Sequence, residues 1–308
     1  MVVGRIRKLV EEFRREVEAQ NARPSAAERV AANPPHFVPA GSFEWQLLHA
    51  PPRQIYGDAA NPYIANLLRF APGFALEIGC NTGTLGQSIK QQFPAAVVWG
   101  VEPNEVTADI ARTRLDQVLN RKLEEINWDA EGVCHGEIDT VFLFDVLEHI
   151  FDPWGTLLTL RNLVSSNAQL IVSVPNVRNV FLIQDLINGH WRYREMGLLD
   201  ITHIRFFTAQ DMMRMFYQTG FRVMARTFTL CEKSQAVYGE MAGGKFPKVL
   251  ELEGATITVR SEEDLVGLCA MQHIFNLAPV EYAQLTDDER QWIDAPHPET
   301  HAYAGARP

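Results

Sequence analysis

The stretch Ala75-Leu76-Glu77-Ile78-Gly79-Cys80-Asn81-Thr82-Gly83-Thr84-Leu85-Gly86 decides the fold of this chain. Its start is apolar apart from Glu77, and it runs into a glycine-rich turn that opens a helical pattern. Glycine permits both a tight turn and a close approach of the backbone to a ligand. A carboxylate at Glu77 would repel a pyrophosphate, but it would attract a cation such as an α-ammonium group. The stretch therefore predicts a strand, a binding loop and a helix.

A second acidic residue stands at the end of the next predicted strand. Residues 97–101 are apolar, and they are followed by Glu102, Pro103 and Asn104. A carboxylate in this position can accept hydrogen bonds from both hydroxyls of a ribose. Together, Glu77 and Glu102 fit a ligand with an amino-acid cation at one end and a nucleoside at the other, such as S-adenosylmethionine.

Strand and helix patterns alternate through the middle of the chain. We predict strands at 74–78, 97–101, 140–144 and 170–174, with helices at 85–92, 108–117, 154–164 and 209–219. Short runs that are apolar throughout are typical of strands covered on both faces of a parallel sheet. The alternation predicts an α/β, doubly wound, Rossmann-like sheet whose ligands bind at the carboxyl ends of the strands.

The chain divides into three regions by composition and hydrophobic pattern. Residues 1–60 combine an amphipathic helical pattern with a proline-rich segment and are predicted to form an arm or helical lid. Residues 61–280 are predicted to form the ligand-binding domain. Residues 281–308 are polar, and we expect them to be a frayed C-terminal tail.

Composition excludes several classes of protein. The 308 residues include 28 basic and 38 acidic side chains, a formal net charge of −10, and only the N-terminus is locally basic. Nucleic-acid binding normally needs a basic face, so it is disfavoured. The four cysteines are far apart, which predicts neither a disulfide framework nor a zinc site and favours a cytoplasmic protein. No apolar run reaches the roughly 20 residues of a membrane span.

The glycine loop and the acidic strand ends resemble the class I S-adenosylmethionine-dependent methyltransferases over about residues 62–230. The resemblance implies a seven-stranded sheet with an antiparallel last strand, which we expect at 265–275. It also implies that the methionine part of the donor is cradled by Glu77, Gly79, Cys80, Asn81 and Gly83. Glu102 and Pro103 would hold the ribose, and Leu123 would contact the adenine. Lys122 departs from the family pattern, since an aspartate is common there.

A second motif, residues 144–150, carries titratable side chains at the end of the fourth predicted strand. Asp145 and Val146 are expected below the donor, and His149 is a candidate base because its ordinary pKa suits proton transfer near neutrality. Some ubiquinone-pathway O-methyltransferases hold a divalent metal with a similar acid-x-x-Glu-His pattern. No metal is expected here, but Asp145, Glu148 and His149 match that pattern as an alternative. His149 could equally be a capping or core histidine.

A third motif lies in an excursion after the fifth strand, which we expect to cap the substrate. Asp200 and His203 have a spacing that suits a carboxylate-oriented general base. The alternative is that Asp200, His203 and Arg205 brace the excursion against the sheet. Polar and aromatic side chains here suit a hydroxylated small molecule, and the candidates are Asn176, Arg178, Trp191, Tyr193 and Arg205.

These motifs together resemble most closely a bacterial methyltransferase subgroup often encoded beside glycosyltransferases of surface-polysaccharide pathways. The resemblance implies methyl transfer from S-adenosylmethionine to a small-molecule acceptor, with S-adenosylhomocysteine as product. We expect O-methylation of a sugar, a glycan precursor or a similar hydroxylated metabolite. N-methylation, a catalytically degenerate binding module and an NAD-linked oxidoreductase are the alternatives, and a homodimer is compatible with the sequence.

Overall fold

A computed structural model of the chain describes residues 64–294. The predicted N-terminal arm or lid, residues 1–60, lies outside these residues. No helix in the described part is long and apolar enough to cross a membrane.

Seven strands form one sheet in the order β3-β2-β1-β4-β5-β9-β6, and two more form the hairpin β7–β8. Neighbours are parallel except β9, which is antiparallel to both β5 and β6. The predicted α/β sheet with its antiparallel last strand is therefore confirmed. The strands are β1 Phe74–Ile78, β2 Val97–Val101, β3 Gln117–Leu119, β4 Ile138–Phe144, β5 Val164–Pro175, β6 Phe221–Thr229, β7 Lys248–Leu252, β8 Ala255–Val259 and β9 Gln272–Pro279.

Helices cover both faces of the sheet, which is why its central strands consist mainly of buried apolar residues. The α-helices are α1 Thr84–Gln92, α2 Glu105–Ala111, α3 Pro153–Leu163, α4 Val180–Ile187, α5 Ala209–Gln218, α6 Glu232–Met241, α7 Glu262–Cys269 and α8 Asp287–Asp294. Short 3₁₀ turns occur at Ile64–Leu67, Leu123–Glu125, Leu147–His149 and Tyr282–Gln284.

Three predicted elements were wrong in type or extent. The strand expected at 170–174 is β5, which begins earlier, at Val164, and ends at Pro175. The helix expected at 108–117 is α2, which begins at its Asn104 cap and ends at Ala111, and Gln117 already belongs to β3. The first five residues of the strand expected at 265–275 belong to α7, which is capped by Ser261, and the antiparallel strand starts later at Gln272. A short, fully buried apolar run has no period that separates helix from strand, so this error is inherent in the pattern.

The region after β6, together with α4, builds a second, smaller core. Helices α4, α6 and α7 pack against the hairpin β7–β8 around residues such as Val180, Met241 and Val259. The predicted tail also begins with ordered structure. Helix α8 follows a 3₁₀ turn, and its Glu289 accepts hydrogen bonds from Arg222 and Tyr217. The expectation of a frayed tail was therefore wrong as far as Asp294.

Candidate active site

A cavity of about 1010 Å³ opens at the carboxyl ends of the parallel strands, the edge where the sequence predicts ligand binding. This volume is in the range of small-molecule and cofactor sites. Residues at the ends of β1, β2 and β4 line one part of the cavity. The excursion after β5 and the start of β9 line the other part, which includes Met196, Leu198, Thr202, Met271 and Gln272.

The glycine loop presents its backbone to the first part of the cavity. Gly79 has a φ of +67°, and a Cβ there would lie 2.9 Å from the Val146 side chain, so only glycine fits. Asn81 also has a positive φ of 48° and lines the cavity. The loop therefore has the close backbone approach that a ligand cradle requires.

Glu102 stands at the end of β2 and lines the cavity, as predicted. Its two carboxylate oxygens accept hydrogen bonds from the backbone N–H groups of Asn81, at 2.9 Å, and Asn104, at 2.8 Å. Pro103 and the buried side chain of Leu123 line the same part. This arrangement offers a fixed carboxylate for a ribose and an apolar wall for a base, which fits the nucleoside of S-adenosylmethionine.

Three residues of the predicted cradle do not line the cavity. The Glu77 carboxylate instead accepts a hydrogen bond from the Gly86 N–H at 3.0 Å, and burial raises the pKa of Glu77 to about 8. The Cys80 thiol is buried beside Gly100, where an added Cβ would approach it to 2.5 Å. Gly83 caps α1 with a left-handed backbone. The expected contact between Glu77 and the ammonium group is therefore corrected, because the side chain points beneath α1.

Asp145 lines the cavity at the end of β4 in a left-handed conformation with a φ of 54°. The Ser173 hydroxyl donates to it at 2.9 Å, and the Gln272 amide lies 2.8 Å from each carboxylate oxygen. The side chain of Asp145 is exposed to the cavity, but the surrounding protein displaces enough water to raise its pKa, and the hydrogen bonds from Ser173 and Gln272 oppose the rise, as do His203 and His149.

Two histidines and a carboxylate meet in the part of the cavity lined by the excursion after β5, which we call the acceptor end. Ligand-type atoms of Glu148, His149 and His203 lie within 4.8 Å of one another, and the two imidazole rings meet edge to face with centroids 4.8 Å apart. The His203 Nδ1 lies 3.2 Å from the Leu198 carbonyl, which leaves Nε2 as the free acceptor. Burial lowers the pKa of His203, so its imidazole is neutral near pH 7.

Glu148 is almost wholly buried, and neither of its carboxylate oxygens has a hydrogen-bond partner among the described residues. Burial raises its pKa well above the ordinary value. A carboxylate beside two imidazoles is a ligand set that divalent zinc or iron accepts. The candidate metal ligands therefore differ from the predicted set. His203 takes the place of Asp145, whose carboxylate accepts hydrogen bonds from Ser173 and Gln272.

The proposed Asp200–His203 pair is not formed. Asp200 accepts hydrogen bonds from the N–H and hydroxyl of Thr202, at 2.8 and 2.6 Å, and it does not contact the His203 ring. Arg205 donates to the Phe151 carbonyl and stacks on the Phe151 ring at 5.0 Å. These contacts match the bracing role considered for Asp200 and Arg205, and both Asp200 and His203 line the cavity.

The remaining predicted substrate residues lie elsewhere. Asn176 is fully buried and donates to the carbonyls of Gly267 and Ala270, and Arg178 forms an ion pair with Asp264. Trp191 packs on Phe206 outside the cavity, and Tyr193 is not among the lining residues. Sequence reasoning missed Gln272 and an apolar group at the acceptor end, which consists of Ile150, Phe151, Met196, Leu198, Ile204 and Met271. No spacing in the sequence marks Gln272, since only the register of β9 brings it to Asp145.

Comparison with known proteins shows what this chain is similar to. A family model described as a methyltransferase domain matches residues 56–226. The chain is 34% identical over 101 residues to a mitochondrial ubiquinone biosynthesis O-methyltransferase of Schizosaccharomyces pombe, covering 32% of this chain but only 36% of that protein. It is 23% identical over 177 residues to a ubiquinone biosynthesis O-methyltransferase of Neisseria meningitidis, covering 53% and 74% of the two chains.

Among solved structures, the chain is similar to a SAM-dependent methyltransferase from Archaeoglobus fulgidus. The identity is 16%, the TM-score is 0.47, and the match covers 70% of this chain and 89% of that one.

Proposed function

The chain belongs to the methyltransferase-domain family, and we propose that it is an S-adenosylmethionine-dependent enzyme that methylates a hydroxyl oxygen of a small molecule. One observation carries the proposal. A donor-type subsite built on Gly79, Asn81 and Glu102 shares a single cavity with the neutral imidazole of His203. A methyl donor and an acceptor hydroxyl can therefore meet beside a base.

Each end of the donor has candidate partners in this chain. The Glu102 carboxylate suits the ribose hydroxyls, and Leu123 offers an apolar surface to the adenine. Backbone groups of the loop around Gly79 suit the methionine part. When bound, the donor supplies a methyl group on a sulfonium sulfur, which a nucleophile can displace directly.

The acceptor needs a base because a hydroxyl is a weak nucleophile until its proton leaves. The His203 Nε2 accepts that proton as the acceptor oxygen forms its bond to the methyl carbon. The carbon–sulfur bond breaks, its electron pair stays on sulfur, and S-adenosylhomocysteine results. His149 touches the His203 ring edge to face, and its own Nδ1 lies 3.2 Å from the Thr202 carbonyl. It is the second candidate for the proton acceptor.

Apolar side chains at the acceptor end favour an acceptor with an apolar body. Phe151, Met196 and Ile204 are 78%, 56% and 48% exposed, although they line the cavity. Exposed apolar side chains grouped at a cavity mouth are typical of a ligand-binding rim. The curated relatives named above are O-methyltransferases of ubiquinone biosynthesis. We therefore propose a phenolic hydroxyl as the first candidate acceptor of the methyl group. The sugar or glycan acceptor expected from the sequence is the second candidate.

Metal-assisted methylation is the second candidate mechanism. The unpartnered oxygens of Glu148 beside His149 and His203 support it, since such a set could hold a divalent cation. A bound metal would lower the pKa of a coordinated hydroxyl. Dialysis against a chelator, followed by addition of Mg²⁺, Mn²⁺ or Zn²⁺, separates the two mechanisms. Turnover that survives chelation supports the histidine base.

The experiment that tests the function is calorimetric titration with S-adenosylmethionine, S-adenosylhomocysteine and NAD. The unmodified chain should bind both adenosyl ligands and not NAD. Glu102→Ala should raise the Kd for both by about ten- to a hundredfold, because a charged acceptor of two hydrogen bonds is lost. Glu105→Ala is the matched control, because this carboxylate begins α2 outside the cavity lining.

The acceptor is then identified with donor carrying a labelled methyl group and a panel of phenols, nucleotide sugars and amines. Label in a phenol, with turnover reduced in His203→Ala, supports the proposal. Label only in amines would replace it with N-methylation, which needs no base. Adenosyl binding without transfer to any acceptor would favour a degenerate binding module. Failure to bind either adenosyl ligand would refute the proposal that the chain is an S-adenosylmethionine-dependent enzyme.

A further inference from the structure

We infer that Asp145 anchors the ammonium group of the methyl donor, and that Gln272 and Ser173 are positioning residues that hold its carboxylate for that contact. The inference rests on the proposed function. It gives a role to Gln272, on the antiparallel strand β9, and it replaces the anchor expected at Glu77.

The first step is the state of the Asp145 carboxylate. Its hydrogen-bond donors are a hydroxyl and an amide, both neutral, and Gln272 reaches both oxygens at 2.8 Å. Within residues 64–294 no lysine or arginine forms an ion pair with Asp145. The two neighbours therefore orient the carboxylate but supply no positive charge, so the pairing of this carboxylate with a cation is left to the ligand.

The second step is backbone geometry. Asp145 is one of two non-glycine residues with a positive φ in the described part of the chain, and the other is Asn81 of the glycine loop. A left-handed backbone at an aspartate is strained and persists where the surroundings enforce it, often at a functional site. Here the conformation turns the residue into the cavity immediately before Val146, whose side chain abuts Gly79. Asp145 therefore stands next to the loop that suits the methionine part.

The third step is elimination among the carboxylates nearby. Glu77 bonds to the Gly86 N–H and does not line the cavity. Glu102 lies at the ribose end, and Glu124 lines the cavity next to Leu123, at the adenine end. Glu148 belongs to the histidine cluster, and Asp200 is engaged with Thr202. Asp145 remains as the oriented, solvent-reachable carboxylate between the loop and the histidines.

The test compares two ligands that differ by one amino group. S-adenosylhomocysteine carries the ammonium group, whereas S-adenosyl-4-thiobutyrate, its deaminated analogue, keeps the carboxylate and the nucleoside. Kd values are measured by calorimetry for the unmodified chain, Gln272→Met and Asp145→Asn. Gln184→Met serves as a matched control, because that amide bonds only to the Glu253 backbone, outside the cavity lining.

Gln272→Met should weaken S-adenosylhomocysteine binding by about tenfold and binding of the deaminated analogue by no more than about twofold. Asp145→Asn should abolish the preference for the aminated ligand. The double variant should bind no more weakly than Asp145→Asn alone, because Gln272 acts through Asp145. Ser173→Ala removes one buried hydroxyl and should also weaken S-adenosylhomocysteine binding more than binding of the deaminated analogue. It provides a second test if Gln272→Met destabilises the fold and lowers the melting temperature.

Equal weakening of both ligands in Gln272→Met and Ser173→Ala would overturn the inference, since it would indicate a role in shape alone. Unchanged affinity in both variants would also overturn it, as would an unmodified chain that binds the two ligands equally. These outcomes leave the proposed function intact. Failure of the unmodified chain to bind S-adenosylhomocysteine at all would overturn the proposed function itself, and this inference with it.

Discussion

We expect His273 to make the described fold sensitive to mild acid. Its side chain is fully buried on β9, and neither ring nitrogen has a hydrogen-bond partner among the described residues. Burial lowers the pKa of His273 to about 4, and nearby Arg226 adds to the effect. In the unfolded chain the pKa returns to about 6.5. As the pH falls below 6.5, His273 therefore becomes protonated in the unfolded state, whereas in the native state it stays neutral until about pH 4.

The magnitude follows from this difference in pKa. Linkage predicts a loss of about 2 kcal/mol in the free energy of unfolding between pH 7.5 and pH 5, and about 3 kcal/mol by pH 4. For a domain of this size each kcal/mol lowers the melting temperature by about 2–4 °C. Above about pH 7.5 the residue is neutral in both states, so stability there does not depend on its protonation.

His273→Leu replaces the ring with an apolar side chain of similar volume and removes the titration. Urea unfolding at pH 7.5 should then give an unchanged or slightly higher free energy, because an unpartnered polar group is lost. The drop on going to pH 5 should be smaller than in the unmodified chain by about 2 kcal/mol. Exposed His190→Leu controls for the loss of a histidine. An equal drop in His273→Leu and the unmodified chain would refute the reasoning.

Three other substitutions separate catalytic from structural roles. His203→Ala is expected to lower kcat by about 10²–10⁴-fold with a nearly unchanged Kd for S-adenosylhomocysteine, and loss of the folded state would assign it to the brace instead. Glu289→Gln should cost about 1 kcal/mol of unfolding free energy at pH 7, after allowance for solvent screening. Arg222 holds the pKa of Glu289 at about 2. The difference in unfolding free energy between the two chains should therefore reach its full value above pH 4.5 and disappear as the pH falls through 2. Asn176→Ala should cost about 1–3 kcal/mol in urea unfolding and leave ligand affinity unchanged, whereas a raised Kd would return it to the site.

The sequence predicts those parts of the fold that depend on local pattern. Strands β1 and β2 have the bounds expected from their apolar runs, and Glu102 lies at the cavity because the end of a parallel strand fixes its place. Glu77 failed as a predicted ligand contact for a related reason. On a strand covered on both faces either side accepts a side chain, and in this fold it is directed to the amide of Gly86 beneath α1.

Long-range contacts set the rest of the candidate site. Gln272 reaches Asp145 only because β9 pairs with β5 in a register that places Gln272 opposite Pro175. No feature within a few residues of either side chain encodes that pairing. The Asp200-x-x-His203 spacing was misleading in a similar way. A short polar side chain in a turn readily bonds to the backbone two residues on, and Asp200 does this with Thr202 instead of turning to the imidazole.

The bracing and the catalytic interpretations of the excursion are therefore complementary. The Glu148 carbonyl accepts hydrogen bonds from the N–H groups of Ile204 and Arg205, and the Arg205 side chain bonds to the Phe151 carbonyl. These contacts fix the segment that immediately follows His203 to the segment that carries Glu148 and His149. Two imidazoles from distant parts of the sequence can hold a 4.8 Å separation only if their backbones are tied in this way. The brace thus positions the base that the proposed reaction requires.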